Sequence, residues 1–192
     1  MKTFRPAMHT PPSRRPSSGF SLLEMLVVMA IAVILLALVV PPVGQVADGY
    51  LLTRQGQILS DQLVLARQRA TARNRDVEVR LLREDDRWVL QIWELDPAAG
   101  TASAVNRRMP LDAQLTIHPE LSPLLNELPS DSLDGQSWKS LRFRPNGRLA
   151  LPLTMENNYL TLYLRRDQGA PPQNYFTLQI HPLSGHISVY RP

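Results

Sequence analysis

The chain has 192 residues and a mass of 21.7 kDa, which suits one domain with an appendage rather than two full domains. Apolar residues make up 44% and charged residues 20%, so a packed core is expected. The absence of cysteine excludes disulfides, thiol nucleophiles and cysteine-ligated metal sites.

The formal net charge of +4 is concentrated at the start of the chain. Residues 1–19 contain Lys2, Arg5, Arg14 and Arg15 and no acid, and these four residues account for the whole excess. The rest of the chain is balanced, so it has no surplus of positive charge to drive phosphate binding. Nucleic acid is therefore not expected as a partner.

A long apolar segment follows this basic leader. It runs from Phe20 to Val40, and only Ser21 and Glu24 are polar. As a helix it would be about 31 Å long, the thickness of a bilayer's hydrocarbon core. A transmembrane helix is therefore favoured over a buried soluble one, with the leader in the cytoplasm and the rest of the chain outside.

Three export signals are possible at this N-terminus. A secretory signal peptide would need small residues at a cleavage site after the apolar segment, but the sequence there is 38–42, Leu-Val-Val-Pro-Pro. A twin-arginine signal could use Arg14 and Arg15, but the expected apolar residues do not follow them. The third possibility, cleavage before the apolar segment at Gly19–Phe20, is favoured.

The run Gly-Phe-Ser-Leu-Leu-Glu-Met-Leu-Val at 19–27 closely resembles the processing signature of type IV pilins and type II secretion pseudopilins. The resemblance implies that a membrane-embedded aspartyl prepilin peptidase cuts after Gly19 and methylates the new amino group of Phe20. Pro41, followed by Pro42, stands where such proteins often carry a helix-kinking proline. A simple helix end at these prolines is the alternative.

Glu24 is an ionisable residue within an apolar helix, and such residues are costly and normally paired or functional. Cleavage would create a cationic amine on Phe20. Pairing of Glu24 with that amine on a neighbouring subunit would offset burial and set the register between subunits. Two alternatives remain, namely that Glu24 reaches to the membrane interface or pairs with the amine of its own chain.

Residues 45–74 predict an amphipathic helix from the spacing of five apolar positions: Leu52, Leu59, Leu63, Ala66 and Ala70. Gly49 and Gly56 are each expected to weaken this helix. Its end carries a basic cluster at Arg67, Arg69, Arg73 and Arg75. A solvated helix end, where cations are favoured, is preferred over a nucleic-acid site.

The remainder of the chain is typical of antiparallel strands. Strands are expected at 77–82, 88–93, 115–117, 141–143, 148–151, 159–164, 175–180 and 186–190. Turns are expected at 84–86, 145–147 and 183–185, and loops at 96–113, 119–137 and 167–174. The aromatic residues are expected mainly in the sheet core, with a place on a binding face left open for a few of them: Trp88, Trp93, Phe143, Tyr159, Tyr163 and Tyr175.

One long N-terminal helix followed by antiparallel sheet predicts a pilin-like α+β fold. Three parts of the chain resemble H-type minor pseudopilins. Their helix-to-strand junction is similar to residues 65–70 with 74–77, their Phe-x-Pro-x-Gly turn to 143–148, and their terminal hairpin to 184–187. The junction and the lack of cysteine also resemble the cassette protein D family of Verrucomicrobia. Four segments are expected: a leader at 1–19 removed by prepilin peptidase, a transmembrane and assembly helix at 20–42, an amphipathic helix at 43–75, and an extracytoplasmic antiparallel β head at 76–192.

An enzymatic function is not expected. His118, His181 and His186 lack the spacing of a metal site, although the last two flank a short turn and could approach each other. No nucleophile elbow, phosphate loop or dinucleotide fingerprint occurs, and no cofactor is expected.

The resemblance implies a structural, minor subunit of a type IV pilus-like or type II secretion pseudopilus filament. Its partners would be the prepilin peptidase, other pilin or pseudopilin subunits, the inner-membrane assembly platform and the lipid bilayer. The chain would cross the inner membrane once, with its head periplasmic or otherwise extracytoplasmic. The alternative is a single-pass inner-membrane protein whose β domain binds a partner without polymerising.

Overall fold

The structure is a computed structural model, and it describes residues 19–39, 43–118, 120–151, 156–167 and 172–192. The chain divides into two compact units, Met1–Val43 and Gly44–Pro192. The predicted leader before Gly19 and the predicted kink at Pro41 and Pro42 lie outside the described residues.

Helix α1, Leu22–Val39, lies in the first unit. Its sequence is almost entirely apolar and contains Leu, Ala and Met, which favour helix. Within the ranges that the structure describes, no helix is both long enough and apolar enough to cross a membrane. The predicted transmembrane helix at 20–42 therefore stays a prediction.

Helix α2, Val43–Arg73, is the long helix of the second unit. The five apolar positions that were predicted to share one face are all buried. Gly56 also lies on a tightly packed side of the helix, where it contacts the ring of Phe176. The predicted amphipathic helix is therefore confirmed. Gly56 was expected only to weaken this helix, but it is a point of close packing against Phe176.

A six-stranded antiparallel sheet follows α2 in the chain. Its strands are β1 (Val77–Glu84), β2 (Arg87–Asp96), β3 (Thr101–Ala104), β4 (Met109–Pro110), β6 (Ser130–Leu133) and β7 (Gln136–Phe143). The order is β3-β2-β1-β7-β6, with β4 also paired to β2. The predicted β1–β2 hairpin is confirmed, and its turn residues Asp85 and Asp86 have positive φ values of 47° and 62°.

A four-stranded antiparallel sheet completes the head. Its strands are β5 (Leu115–Ile117), β8 (Tyr159–Leu164), β9 (Tyr175–Ile180) and β10 (Ile187–Tyr190). The order is β10-β9-β8-β5. The predicted strands 115–117, 159–164 and 175–180 are confirmed at both ends, and the predicted closing hairpin is β9–β10.

One hydrophobic cluster joins α2 to the inner faces of both sheets. Its largest fully buried side chains include Phe143 on β7 and Phe176 on β9. The helix face predicted from the sequence is therefore the wall on which the two sheets pack.

Two loop predictions, 96–113 and 119–137, are wrong. Strands β3, β4 and β6 and the start of β7 lie in these ranges, together with helix α3, Pro123–Glu127. Both β3 and β6 are exposed along their whole length, so no alternation of apolar residues marks them. They form through backbone hydrogen bonds at the sheet edges, which side-chain patterns do not report.

The predicted strand 148–151 is also wrong. Only a single bridge pairs Leu149 with Phe143 in this range. Gly147, with a φ of 77°, reverses the chain directly before it, and residues 152–155 lie outside the described residues. The predicted turn at 145–147 is present, and the Gly147 N–H donates a hydrogen bond of 2.8 Å to the Arg144 carbonyl.

Candidate processing and assembly site

Gly19 and Phe20 precede α1 as non-helical, exposed residues. Within the part of the chain that the structure describes, a Cβ atom at Gly19 would have no neighbour within 4 Å, and the Phe20 side chain is 72% exposed. None of the described residues therefore crowds the position at Gly19.

Ser21 caps the N-terminus of α1. Its Oγ accepts a hydrogen bond of 3.1 Å from the Glu24 N–H, and its carbonyl accepts one of 3.2 Å from the Met25 N–H. A serine followed by glutamate three residues later is the spacing of a capping box. Sequence reasoning missed this cap, although the Ser-x-x-Glu pattern could have revealed it.

Glu24 lies exposed in the first turn of α1. A negative charge is favoured there by the partial positive charge of the helix N-terminus. Within the described residues, its carboxylate makes no ion pair or hydrogen bond with another side chain.

The apolar side chains of α1 are exposed on all sides of the helix. Their exposed fractions range from 46% to 85% for Leu22, Leu23, Met25, Leu26, Val27, Val28, Met29, Ile31, Val33, Ile34, Leu35 and Leu36. A contiguous apolar surface of this kind marks an interaction site with protein or membrane.

Two residues of the basic cluster at the end of α2 form ion pairs with acidic residues of β2. Arg69 Nε donates a hydrogen bond of 2.9 Å to Glu94 of β2. The Nη1 atom of Arg75 lies 3.1 Å from Oδ2 of Asp96 and 3.6 Å from Oε1 of Glu94. Arg69 and Arg75 therefore connect the end of α2 to β2.

Asp86 joins the β1–β2 turn to the end of β8. Its carboxylate accepts hydrogen bonds from Arg165 and Arg83. The hydrogen bond from Arg165 is the main cause that lowers the pKa of Asp86 below its ordinary value of 3.8, and the charges of Arg165 and Arg83 act in the same direction. This contact links the two sheets at the surface.

His118, His181 and His186 all lie in the described part of the head. Among the residues that the structure describes, no group of three or more His, Asp or Glu side chains could hold a metal ion. His181 and His186 do approach each other, but through the backbone, where the His181 N–H donates to the His186 carbonyl at 2.7 Å. The His118 ring instead lies 5.8 Å from that of Tyr163.

The N-terminal part of the chain matches a known protein family. Residues 14–40 match the family described as Prokaryotic N-terminal methylation motif. The chain carries this motif. Because the match contains Gly19, Phe20 and Glu24, it confirms the predicted resemblance to type IV pilin-like proteins and pseudopilins, and it supports a subunit of a pilus or pseudopilus.

Solved structures of two proteins are similar to the chain. The minor pseudopilin EpsH of the type 2 secretion system of Vibrio cholerae is 14% identical, with a TM-score of 0.49 over 73% of this chain and 97% of that chain. The type IV minor pilin FimU of Pseudomonas aeruginosa is 20% identical, with a TM-score of 0.46 over the same shares of the two chains. With both TM-scores below 0.5, these similarities assign neither a role nor a partner.

No curated protein matches the chain. The pilin-like α+β class is confirmed by an N-terminal helix followed by antiparallel sheets.

Proposed function

We propose that this protein is a minor structural subunit of a type IV pilus-like or type II secretion pseudopilus filament. The observation that carries the proposal is the methylation motif at 14–40, which leads directly into an apolar helix with exposed side chains. An exposed apolar helix needs a cover, either lipid before assembly or other subunits within a filament.

Processing is the first step of this function. A prepilin peptidase cleaves between Gly19 and Phe20 and methylates the new amino group. The lack of any described neighbour around a Cβ atom at Gly19 supports this step, as does the absence of a side chain that would resist an extended conformation in a narrow cleft.

Assembly is the second step. The carboxylate of Glu24 neutralises the amino group of Phe20 on a neighbouring subunit. Its lack of a partner among the described residues supports this role, as does its place one turn into an apolar helix. Pairing in an apolar setting contributes far more than a surface ion pair, because an unpaired charge there is costly.

The location and remaining partners follow from these two steps. Before assembly, α1 anchors the subunit in the inner membrane with the β head outside the cytoplasm. The assembly platform and other pilin-like subunits then draw it into the filament. The proposal covers both a pilus and a secretion pseudopilus.

N-terminal sequencing and intact mass of the protein extracted from membranes test the proposed function. An N-methylated Phe20 as the first residue is the expected result. A mature chain that begins at Met1 would contradict the proposal and favour a membrane-anchored β domain that binds a partner without polymerising.

A further inference from the structure

The outward face of the four-stranded sheet carries a groove of about 520 Å³. Side chains alternate between the two faces of a strand. On β9 the apolar residues point to the core, so Tyr175 and Thr177 point outward. The outward residues of β8 that line the groove are Tyr159 and Thr161, and Tyr190 of β10 lines it as well.

Three tyrosines form the walls of this groove. The rings of Tyr175 and Tyr190 lie side by side, with centroids 6.3 Å apart and an angle of 35° between their planes. Tyr190 is 59% exposed, and Tyr159 is partly buried. No hydrogen bond to another described residue occupies their hydroxyl groups, so each can donate one to a ligand.

The floor of the groove is polar but uncharged. The hydroxyl groups of Thr161 and Thr177 share one hydrogen bond of 3.1 Å, and a hydroxyl can take part in up to three. Thr161 is only 6% exposed, so the partly exposed Thr177 supplies the hydroxyl group that a ligand can reach.

The charge at the groove is negative. Among the described residues that line it, Glu120 is charged and none is Lys or Arg. Burial is the main cause that raises the pKa of Tyr163 on β8, and the negative charges of Asp167 and Glu120 raise it further. An anionic ligand is therefore disfavoured, and a cationic group is favoured.

We propose that this groove binds an extended, proline-rich segment of a partner protein that also carries basic side chains. Proline-rich segments adopt the polyproline II conformation, which has no internal hydrogen bonds and leaves its carbonyl groups free. Grooves lined by aromatic residues recognise such segments. The tyrosine rings receive the proline rings, the tyrosine and threonine hydroxyls donate to the carbonyls, and Glu120 attracts the basic side chain.

The direct test is fluorescence anisotropy with the full chain in detergent micelles and a labelled peptide of four Pro-Pro-Arg repeats. Saturable binding is expected. Replacement of the prolines by alanine or of the arginines by glutamate should each weaken binding about tenfold or more, since each removes a contact central to recognition.

Variants of the protein locate the site. Tyr175→Ala should weaken binding of the Pro-Pro-Arg peptide about tenfold or more, and Glu120→Gln should reduce the dependence of binding on salt. Tyr50→Ala is the matched control, because Tyr50 is 70% exposed on α2 outside the groove. It should bind as the wild type does. Unchanged tryptophan fluorescence shows that each variant is folded.

Several outcomes would overturn the proposal. These are no saturable binding, equal binding by Tyr175→Ala, equal binding of the alanine peptide, saturable binding of a neutral glucan oligosaccharide in place of the peptide, or self-association of the chain that Tyr175→Ala abolishes.

Binding of the peptide does not depend on processing of the chain. A Gly19→Val chain should bind the Pro-Pro-Arg peptide normally, so failure of the proposed filament function is distinguishable from failure of this inference.

Discussion

Gly56 of α2 packs directly against the ring of Phe176 on β9. A Cβ atom at Gly56 would lie under 3.0 Å from three atoms of that ring. Helix and sheet can therefore approach this closely only because position 56 has no side chain, and Phe176, itself fully buried, has no room to move away.

Gly56→Ala should therefore destabilise the head, because overpacking a core costs about 1–3 kcal/mol. A gain of about 1 kcal/mol in helix propensity offsets part of this cost, so the net loss should be up to about 2 kcal/mol. Urea unfolding followed by tryptophan fluorescence measures the change. The matched control is Gly49→Ala on the same helix, where the new Cβ would meet only the ends of the Arg191 and Asn174 side chains. It should be neutral or stabilising, and a more stable Gly56→Ala would contradict the packing argument.

The contrast between these two glycines shows what the sequence could and could not predict. The apolar face of α2 was predictable, because burial at Leu59, Leu63 and Ala66 follows the period of a helix. Helix propensity alone treats Gly49 and Gly56 alike. Only the position of Phe176, more than a hundred residues away in the chain, separates them.

The strands show the same division. Strand β9 was predictable, because it alternates Phe176, Leu178 and Ile180 with polar or partly exposed residues. The exposed edge strands β3 and β6 were not, because their formation depends on backbone partners in β2 and β7.

The N-terminal motif that contains Gly19, Phe20 and Glu24 was predictable because it is local and linear in the sequence, whereas the roles of these three residues stay predictions. The groove on the four-stranded sheet was not, because it assembles tyrosines from three different strands. The pairing of Arg69 with Glu94 was missed for the same reason, since these residues lie 25 positions apart.

Asp86→Asn should lower the stability of the head at pH 7. Because the folded state lowers the pKa of Asp86, the carboxylate contributes stability above its unfolded pKa and loses it as the pH falls through the folded value. The difference between wild type and variant should therefore shrink below about pH 4. Asparagine tolerates the positive φ at this position, so the backbone is kept.

Urea unfolding at pH 7 and pH 3 measures this difference. The effect should be small, because the pair is exposed, and it should decrease in 1 M salt. A difference between the two chains that grows as the pH falls would contradict the assigned role of Asp86.

Gly19→Val should block maturation. A β-branched side chain is stiff and would stand at the scissile bond, so unprocessed protein should accumulate in the membrane. Intact mass shows whether the leader remains. Tyr50→Ala is a suitable control because it leaves the junction untouched, and normal maturation of Gly19→Val would argue strongly against a prepilin peptidase.

The central claim is that Glu24 pairs with the Phe20 amino group of a neighbouring subunit. Its N-terminal position also allows a simpler role as part of the helix cap with Ser21. The two roles predict different free-energy costs when the residue is replaced. Loss of a cap costs about 1 kcal/mol, whereas removing one partner of a buried ion pair costs about 3–5 kcal/mol.

The most direct measurement is the amount of each variant incorporated into sheared filaments or crosslinked subunit complexes, at matched expression and with cleavage confirmed by mass. Glu24→Leu should be cleaved but excluded from filaments. Glu24→Asp should be incorporated to an intermediate extent, because its side chain is shorter. Ser21→Ala should assemble nearly as the wild type does. Equal incorporation of Glu24→Leu and wild type, or an equal defect in Ser21→Ala and Glu24→Leu, would contradict the pairing of Glu24 with a neighbouring subunit.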